Sequence, residues 1–143
     1  QEVFAFLDDH RNLSSHMESN SSPMMAGGSM QLVLDDQNGR TIGSHVVMRG
    51  KVLGFDLLVD EVVIERVPFE KKTWETVEDR LVVIGPYRLG FRIASRVPAG
   101  STLTVWIDYD LPSRRRWLGR IGGSMYADWC VRQMLNAARS HFA

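Results

Sequence analysis

Apolar residues recur at two different periods along the chain, and the change of period divides it into a helical start, a strand-rich middle and a helical end. In the first 17 residues apolar side chains fall at helical spacing, with a polar break at 8–10, which predicts two short helices. A stretch rich in Ser, Gly and Pro at 18–29 predicts a loop. From residue 30 to residue 111 the period is two, which is typical of an antiparallel sheet with one covered face.

Six strands are predicted in this middle region from the alternation and from the turn residues between the runs. Their predicted limits lie near 30–34, 41–49, 55–66, 72–77, 81–95 and 102–111. Asn38-Gly39 is the strongest hairpin signal, because both central positions of a type I′ turn need positive φ. Gly85-Pro86 lies inside the fifth strand, where the missing N–H of proline predicts a bulge or bend.

Residues 114–141 contain no proline and predict one long helix, about 40 Å in length at ~1.5 Å per residue. Its expected apolar positions include Leu118, Ile121, Met125 and Trp129. Three glycines lie within the same stretch, at 119, 122 and 123. Because glycine weakens a helix, they indicate either a close approach to the sheet or a hinge.

Two short helices, six antiparallel strands and one long C-terminal helix predict an α+β fold. The single long helix must cover the apolar face of a strongly curved sheet, and incomplete contact between the two leaves a cavity. At 143 residues the chain has the length of one domain, so 1–143 is predicted to form a single ligand-binding unit.

Four segments resemble the helix-grip fold of the START-like, Bet v 1-like superfamily, and more closely its bacterial SRPBCC group of polyketide cyclases, dehydrases and lipid-transport proteins. They are VFAFLDDHRNLSSHM (3–17), EVVIERVPFEKKTWET (61–76), STLTVWIDYDLP (101–112) and RRRWLGRIGGSMYADWCVRQM (114–134). These are packing patterns and not catalytic signatures. The resemblance implies a curved antiparallel sheet wrapped around the C-terminal helix, with a hydrophobic small molecule between them.

The superfamily begins with a strand that precedes the first helix and pairs with the last strand, whereas this sequence starts at the helix. An unpaired last strand would expose a row of backbone donors and acceptors. We therefore expect either a further N-terminal strand or an edge covered by a second subunit, as in a homodimer.

Composition excludes several classes of function. Lys+Arg and Asp+Glu are both 17, which gives no support to nucleic-acid binding through bulk positive charge. One cysteine excludes an intrachain disulfide and a cysteine-based zinc cluster. The four histidines form no metal-binding spacing, so neither a metal nor another cofactor is expected. No apolar run approaches the ~20 residues of a membrane span, and a cytoplasmic location is expected.

The strand alternation and the helix pattern together predict an apolar cavity lining with a few hydroxyl groups, which suits a hydrophobic ligand. The alternative is a core filled by the same large side chains. The predicted lining residues are Met17, Met48, Trp74, Thr76, Tyr87, Leu89, Phe91, Ile107, Tyr109, Met125 and Trp129.

Candidate catalytic residues are few. Tyr87 and Tyr109 each carry a hydroxyl that would orient a ligand carbonyl or act as an acid. In the third strand either Asp60 or Glu61 faces the cavity, depending on the register, and burial would raise the pKa of that carboxyl toward the range of a general base. The sequence contains no other catalytic constellation, so an enzyme, if this is one, would be a cyclase or dehydratase.

Three functions therefore remain open: a carrier or sensor of a lipid, polyketide or aromatic metabolite; a polyketide cyclase or aromatase; and a lipid or quinone chaperone acting at a membrane or partner protein. The third depends on a cluster of positive charge at the start of the last helix, which is either a solvated face or a contact for anionic headgroups. The cluster consists of Arg114, Arg115, Arg116 and Arg120.

Overall fold

The computed structural model describes residues 1–18, 29–52, 55–81, 84–112 and 116–143, with the side chains of 15–18, 29 and 52 outside the description. The described residues form three helices and six strands. The helices are α1 (Glu2–Asp8), α2 (His10–Glu18) and α3 (Arg116–Phe142). The strands are β1 (Ser29–Leu34), β2 (His45–Val52), β3 (Phe55–Val67), β4 (Lys71–Arg80), β5 (Tyr87–Ser95) and β6 (Ser101–Tyr109).

The strands form one antiparallel sheet in the order β1-β2-β3-β4-β5-β6. Residues from all six strands and from both α2 and α3 line the same cavity, so the sheet curves around it. The predicted α+β helix-grip architecture is thus confirmed. None of the described helices has an apolar stretch long enough to cross a bilayer.

The connection between β1 and β2 contains the predicted turn but is longer than a two-residue hairpin. Asn38 and Gly39 have φ values of 54° and 70°, as their sequence predicts. The return strand begins at His45 and not near residue 41. The Asp35 carboxylate holds the wider loop, accepting hydrogen bonds from the Ser44 hydroxyl at 2.6 Å and from the His45 N–H at 2.8 Å.

The predicted fifth strand is shorter than expected, because it begins at Tyr87 and not at residue 81. The chain before it lies against the end of β6 instead. The Gly85 N–H donates to the Asp110 carbonyl at 2.8 Å, and the Asp110 N–H donates to the Pro86 carbonyl at 2.9 Å. A Cβ atom at Gly85 would lie 2.6 Å from the Leu111 carbonyl oxygen, so glycine is required for this approach.

The orientation of α3 differs from the prediction. Gly119, Gly123 and Ala127 are buried, so this face of the helix points inward. Ile121 and Met125 are 72% and 63% exposed, which makes their predicted inward orientation wrong. The physical reason is helical geometry, because residues two positions apart lie about 200° apart around the axis. The burial of Gly119 and Gly123 is compatible with close packing, and the hinge stays a prediction.

A buried ionic cluster fixes α1 against the sheet. The Asp8 carboxylate accepts two hydrogen bonds from Arg66, at 3.0 and 2.8 Å, and lies 2.9 Å from Lys72 Nζ. Lys72 is fully buried and also donates to the Asp8 carbonyl. Burial raises the pKa of Asp8, but the hydrogen bonds from Arg66 and Lys72 outweigh it and leave the pKa below the usual 3.8. The cluster holds Asp8, the last residue of α1, two positions before His10.

Candidate functional site

An apolar cavity of about 60 Å³ lies between the sheet and the helices α2 and α3. It separates two packed groups of core residues, one under α1 and the C-terminal half of α3 and the other around Met30, Met48 and Val59. Its lining consists of His10, Leu13, Ser14, Met30, Met48, Val59, Glu61, Trp74, Leu81, Ile84, Tyr87, Leu89, Ile107, Tyr126, Cys130 and Met134.

The alternation of β3 decides which carboxyl group faces this cavity. Val59, Glu61 and Val63 are buried on the concave side, and a register shift in the pairing with β4 occurs at Asp60/Glu61. Asp60 points to the other side, where its carboxylate lies 2.8 Å from His45 Nδ1. The open choice between the two acids is therefore resolved in favour of Glu61, and Asp60 does not line the cavity.

The Glu61 carboxyl group is buried among apolar side chains. Burial raises its pKa from 4.5 to about 8, although hydrogen bonds from Tyr87 and Trp74 and the charge of Lys72 oppose the rise. At neutral pH the group is mostly protonated and uncharged. Its Oε2 atom has no hydrogen-bond partner among the described residues.

Tyr87 and Trp74 hold this carboxyl group in place. Both side chains hydrogen-bond to Glu61, and the indole N–H of Trp74 can act only as a donor. Burial raises the pKa of Tyr87 well above 10, and the neighbouring Glu61 adds to the effect. The Tyr87 hydroxyl therefore stays protonated throughout the neutral range.

The helical wall of the cavity contributes two further polar groups from α3. The Tyr126 side chain hydrogen-bonds to the Cys130 thiol, and burial raises the pKa of that thiol to about 12. Because the thiolate and not the thiol is the nucleophile, Cys130 is not a reactive cysteine. Together with Met134 these residues recur every four positions and present one face of α3 to the cavity.

His10 closes the cavity at the start of α2. Its ring meets the Trp74 indole edge to face, with ring centroids 4.8 Å apart. Burial, reinforced by the charge of Lys72, lowers the pKa of His10 to about 3, so the imidazole is neutral. Its Nε2 atom is buried and has no hydrogen-bond partner among the described residues.

Five of the predicted lining residues lie together at the cavity, and they are Met48, Trp74, Tyr87, Leu89 and Ile107. They come from the strands β2, β4, β5 and β6, which supply much of the sheet wall.

The other predicted residues lie elsewhere. Phe91 is buried in the core beside Phe4 and Trp74 and does not line the cavity. Trp129 packs beside Tyr126 against the second group of core residues. Met125 faces outward, and the side chain of Met17 lies outside the described residues.

Thr76 and Tyr109 line a different feature, an open polar groove of about 300 Å³ near the end of β6. The Thr76 hydroxyl lies 3.2 Å from both the N–H and the carbonyl oxygen of Tyr87 and bonds to this backbone. It therefore links β4 to β5 and does not serve a ligand in the cavity. Tyr109 pairs with Tyr87 across the β5–β6 ladder, and its side chain does not line the cavity.

Among the cavity residues that the sequence did not predict are His10, Tyr126, Cys130 and Met134. A signal for the last three was present, because they recur every four residues, as residues on one face of a helix do. His10 gave no such signal, since it occupies the polar break between two short helices. Among the described residues, no group of His, Cys, Asp or Glu side chains has a metal-binding arrangement.

Comparisons with known proteins support the fold. No family model matches this sequence, and no curated protein is similar to it in sequence. Among solved structures, the major latex-like protein 151 from ginseng (Panax ginseng) matches 94% of this chain and 88% of its own chain. The TM-score is 0.50 and the sequence identity 14%, so the likeness concerns the fold alone. The chain therefore has the Bet v 1-like helix-grip fold.

Proposed function

We propose that this protein binds a compact, uncharged hydrophobic molecule in the cavity between the sheet and α3. One observation carries the proposal. The lining is almost entirely apolar, yet it includes two residues with a buried polar atom that lacks a partner among the described residues, Glu61 Oε2 and His10 Nε2. A buried polar atom without a hydrogen bond costs about 1–3 kcal/mol, and a ligand hydroxyl or carbonyl would remove that cost.

The charge state of the lining restricts the ligand. Glu61 is mostly protonated at neutral pH because its pKa is about 8, and His10 is neutral because its pKa is about 3. Among the described lining residues, none carries a charge that would compensate a carboxylate or ammonium group taken out of water, and an uncompensated buried charge is costly. A neutral ligand with one or two polar atoms fits these groups.

The size of the cavity disfavours long acyl chains, and even a benzene-sized ligand requires the wall to move outward, because a cavity that holds benzene measures about 150 Å³. Its volume of about 60 Å³ is far below that of a cavity for a full lipid. Three methionines, Met30, Met48 and Met134, form part of the wall, and methionine adapts readily to an irregular occupant. We therefore place the aromatic metabolite first among the three ligand classes expected from the sequence.

The test compares 4-methylphenol with toluene, which have similar shape but differ in one hydroxyl group. We expect both to bind, as measured by NMR titration of cavity residues, and 4-methylphenol to bind about tenfold more tightly through its hydrogen bond. The variant Glu61→Leu should lose this preference while still binding toluene. The anion 4-methylbenzoate serves as the charged control and should not bind.

The proposal would be abandoned if neither neutral probe shifted the cavity residues at saturation. It would also be abandoned if the charged probe bound as well as the neutral ones.

A cyclase or dehydratase is the second candidate, and the hydrogen bond between Glu61 and Tyr87 supports it. A carboxyl group with a pKa of about 8 exchanges a proton near neutral pH, which suits general acid–base chemistry. The test follows deuterium exchange at the central carbon of acetylacetone, where Glu61 would accept the proton. Acceleration by the wild-type protein that disappears in Glu61→Gln would support catalysis. Equal exchange in both would leave binding as the function.

Two finer expectations from the sequence, membership of the SRPBCC group and a cytoplasmic location, stay predictions. A homodimer and a role at a membrane also stay predictions. Both would involve the outer surface of the fold and not its cavity.

A further inference from the structure

The outward face of α3 carries a stripe of large apolar side chains. Trp117, Ile121 and Met125 recur every four residues and are 62%, 72% and 63% exposed. We call these three residues the α3 stripe. It covers eight helical steps, or about 12 Å along the axis.

The stripe reverses the usual distribution of a helix in a globular domain, where the outward face is polar. Here Gly119, Gly123 and Ala127 are buried, whereas the large side chains of Trp117, Ile121 and Met125 face outward. Packing against the core therefore does not explain the outward position of Trp117, Ile121 and Met125. Contiguous exposed apolar side chains of this kind mark interaction surfaces.

The charge beside the stripe is positive. Arg116 and Arg120 are exposed and directly precede Trp117 and Ile121 along the helix. The sequence contains no acidic residue between positions 110 and 128, and this interval also includes arginines at 114 and 115.

One helical turn beyond Met125 the surface becomes polar. Asp128 and Arg132 form an ion pair at 2.7 Å there. The stripe is therefore apolar, cationic on one flank and closed at one end by a neutralised pair.

We propose that the α3 stripe docks onto a membrane surface that contains anionic phospholipid. Tryptophan favours the headgroup region, and the Ile121 and Met125 side chains would enter the acyl boundary beside it. Arg116 and Arg120 would lie against lipid phosphates, where each basic residue adds to the attraction of the surface. The proposal concerns the outer face of α3 and does not depend on the ligand in the cavity.

A second copy of this chain fits the stripe less well. Three exposed side chains offer a few hundred Å², whereas a stable interface buries about 800 Å² on each partner. A membrane needs no such area, because a few inserted side chains and local positive charge are enough for reversible binding.

The experiment measures co-flotation of the full chain with vesicles. We expect no binding to phosphatidylcholine alone, and binding to vesicles with roughly one third phosphatidylglycerol that weakens as salt is added. The triple variant W117S/I121S/M125S should bind at least about tenfold more weakly. The matched control I42S/V77S changes exposed apolar residues outside α3 and should bind like the wild type.

Two further measurements separate the alternatives. R116Q/R120Q should weaken binding to the anionic vesicles and reduce its salt dependence. Brominated lipids should quench the wild-type tryptophan emission, and Trp117→Phe should remove this quenching even if another variant folds poorly. The proposal would be overturned if the wild type did not bind anionic vesicles or if the triple variant bound unchanged. A wild-type dimer that the triple variant dissociates, without vesicle binding, would assign the stripe to a second copy instead.

Discussion

Tyr87 on β5 forms a hydrogen bond with the Glu61 carboxyl group on β3, across the intervening β4 and inside an apolar cavity. The pair places two hydroxyl-bearing groups at one position of an otherwise apolar wall. Because Glu61 is mostly protonated at neutral pH, this polar site carries little charge.

The buried acid makes stability depend on pH. The pKa of Glu61 rises from 4.5 to about 8 on folding, so the folded state holds a proton that the unfolded chain releases between these values. The free energy of unfolding therefore falls as pH rises from 4.5 through 8, and the loss amounts to roughly 3–5 kcal/mol.

The variant Glu61→Gln keeps the shape of the side chain but cannot ionise. We expect its free energy of unfolding in urea to exceed that of the wild type at about pH 9, and the difference to shrink toward acid. Taking the difference between the two proteins cancels the titration of all other groups. A difference that does not change with pH would contradict a protonated Glu61.

Substitutions in the ionic cluster under α1 should differ in how much stability they remove. Asp8→Ala leaves the fully buried Lys72 without its anion, and we expect a loss of about 3–5 kcal/mol in the free energy of unfolding. Lys72→Met removes the buried cation but keeps the Asp8–Arg66 pair, so it should cost less. Urea unfolding at neutral pH measures both. A Lys72→Met cost equal to or larger than that of Asp8→Ala would show that the cation itself stabilises the fold.

The turn at Gly39 supports His10 directly. A Cβ atom at Gly39 would lie 2.8 Å from His10 Cδ2, and φ at this position is +70°. We expect Gly39→Ala to destabilise the protein by about 1–3 kcal/mol, since the imidazole has to move. Gly43→Ala is the matched control, because Gly43 has φ of +87° but a Cβ atom there would meet nothing within 4 Å. Thermal unfolding should show the larger loss for Gly39→Ala, and equal losses would exclude a role for the contact.

Cys130 should resist thiol reagents in the folded protein. Burial raises the pKa of its thiol to about 12, so almost no thiolate exists at neutral pH. We expect Ellman's reagent to react with Cys130 only after denaturation in urea. Met125→Cys places a second thiol on the exposed face of the same helix and should react at once. Rapid reaction of the wild-type protein would mean that the helical wall of the cavity opens readily.

The local pattern of the sequence was sufficient to predict most of the helices and strands. Alternating apolar residues located the six strands, and Asn38-Gly39 located a turn with positive φ, because both signals depend on neighbouring residues alone. The first residues of β2 and β5, at positions 45 and 87, were not predicted. They depend on the Asp35 and Gly85 contacts, which join residues distant in sequence.

The sequence by itself determined the helix-grip fold, the one-sided apolar sheet and the presence of a carboxyl group near the cavity at position 60 or 61. Only the tertiary structure decided that this group is Glu61, that His10 joins it, and that α3 turns its glycines inward and Met125 outward. The reason is that periodicity defines the faces of a helix or strand but not which face meets the core. That choice depends on contacts between elements, and in α3 these contacts bury Gly119 and Gly123.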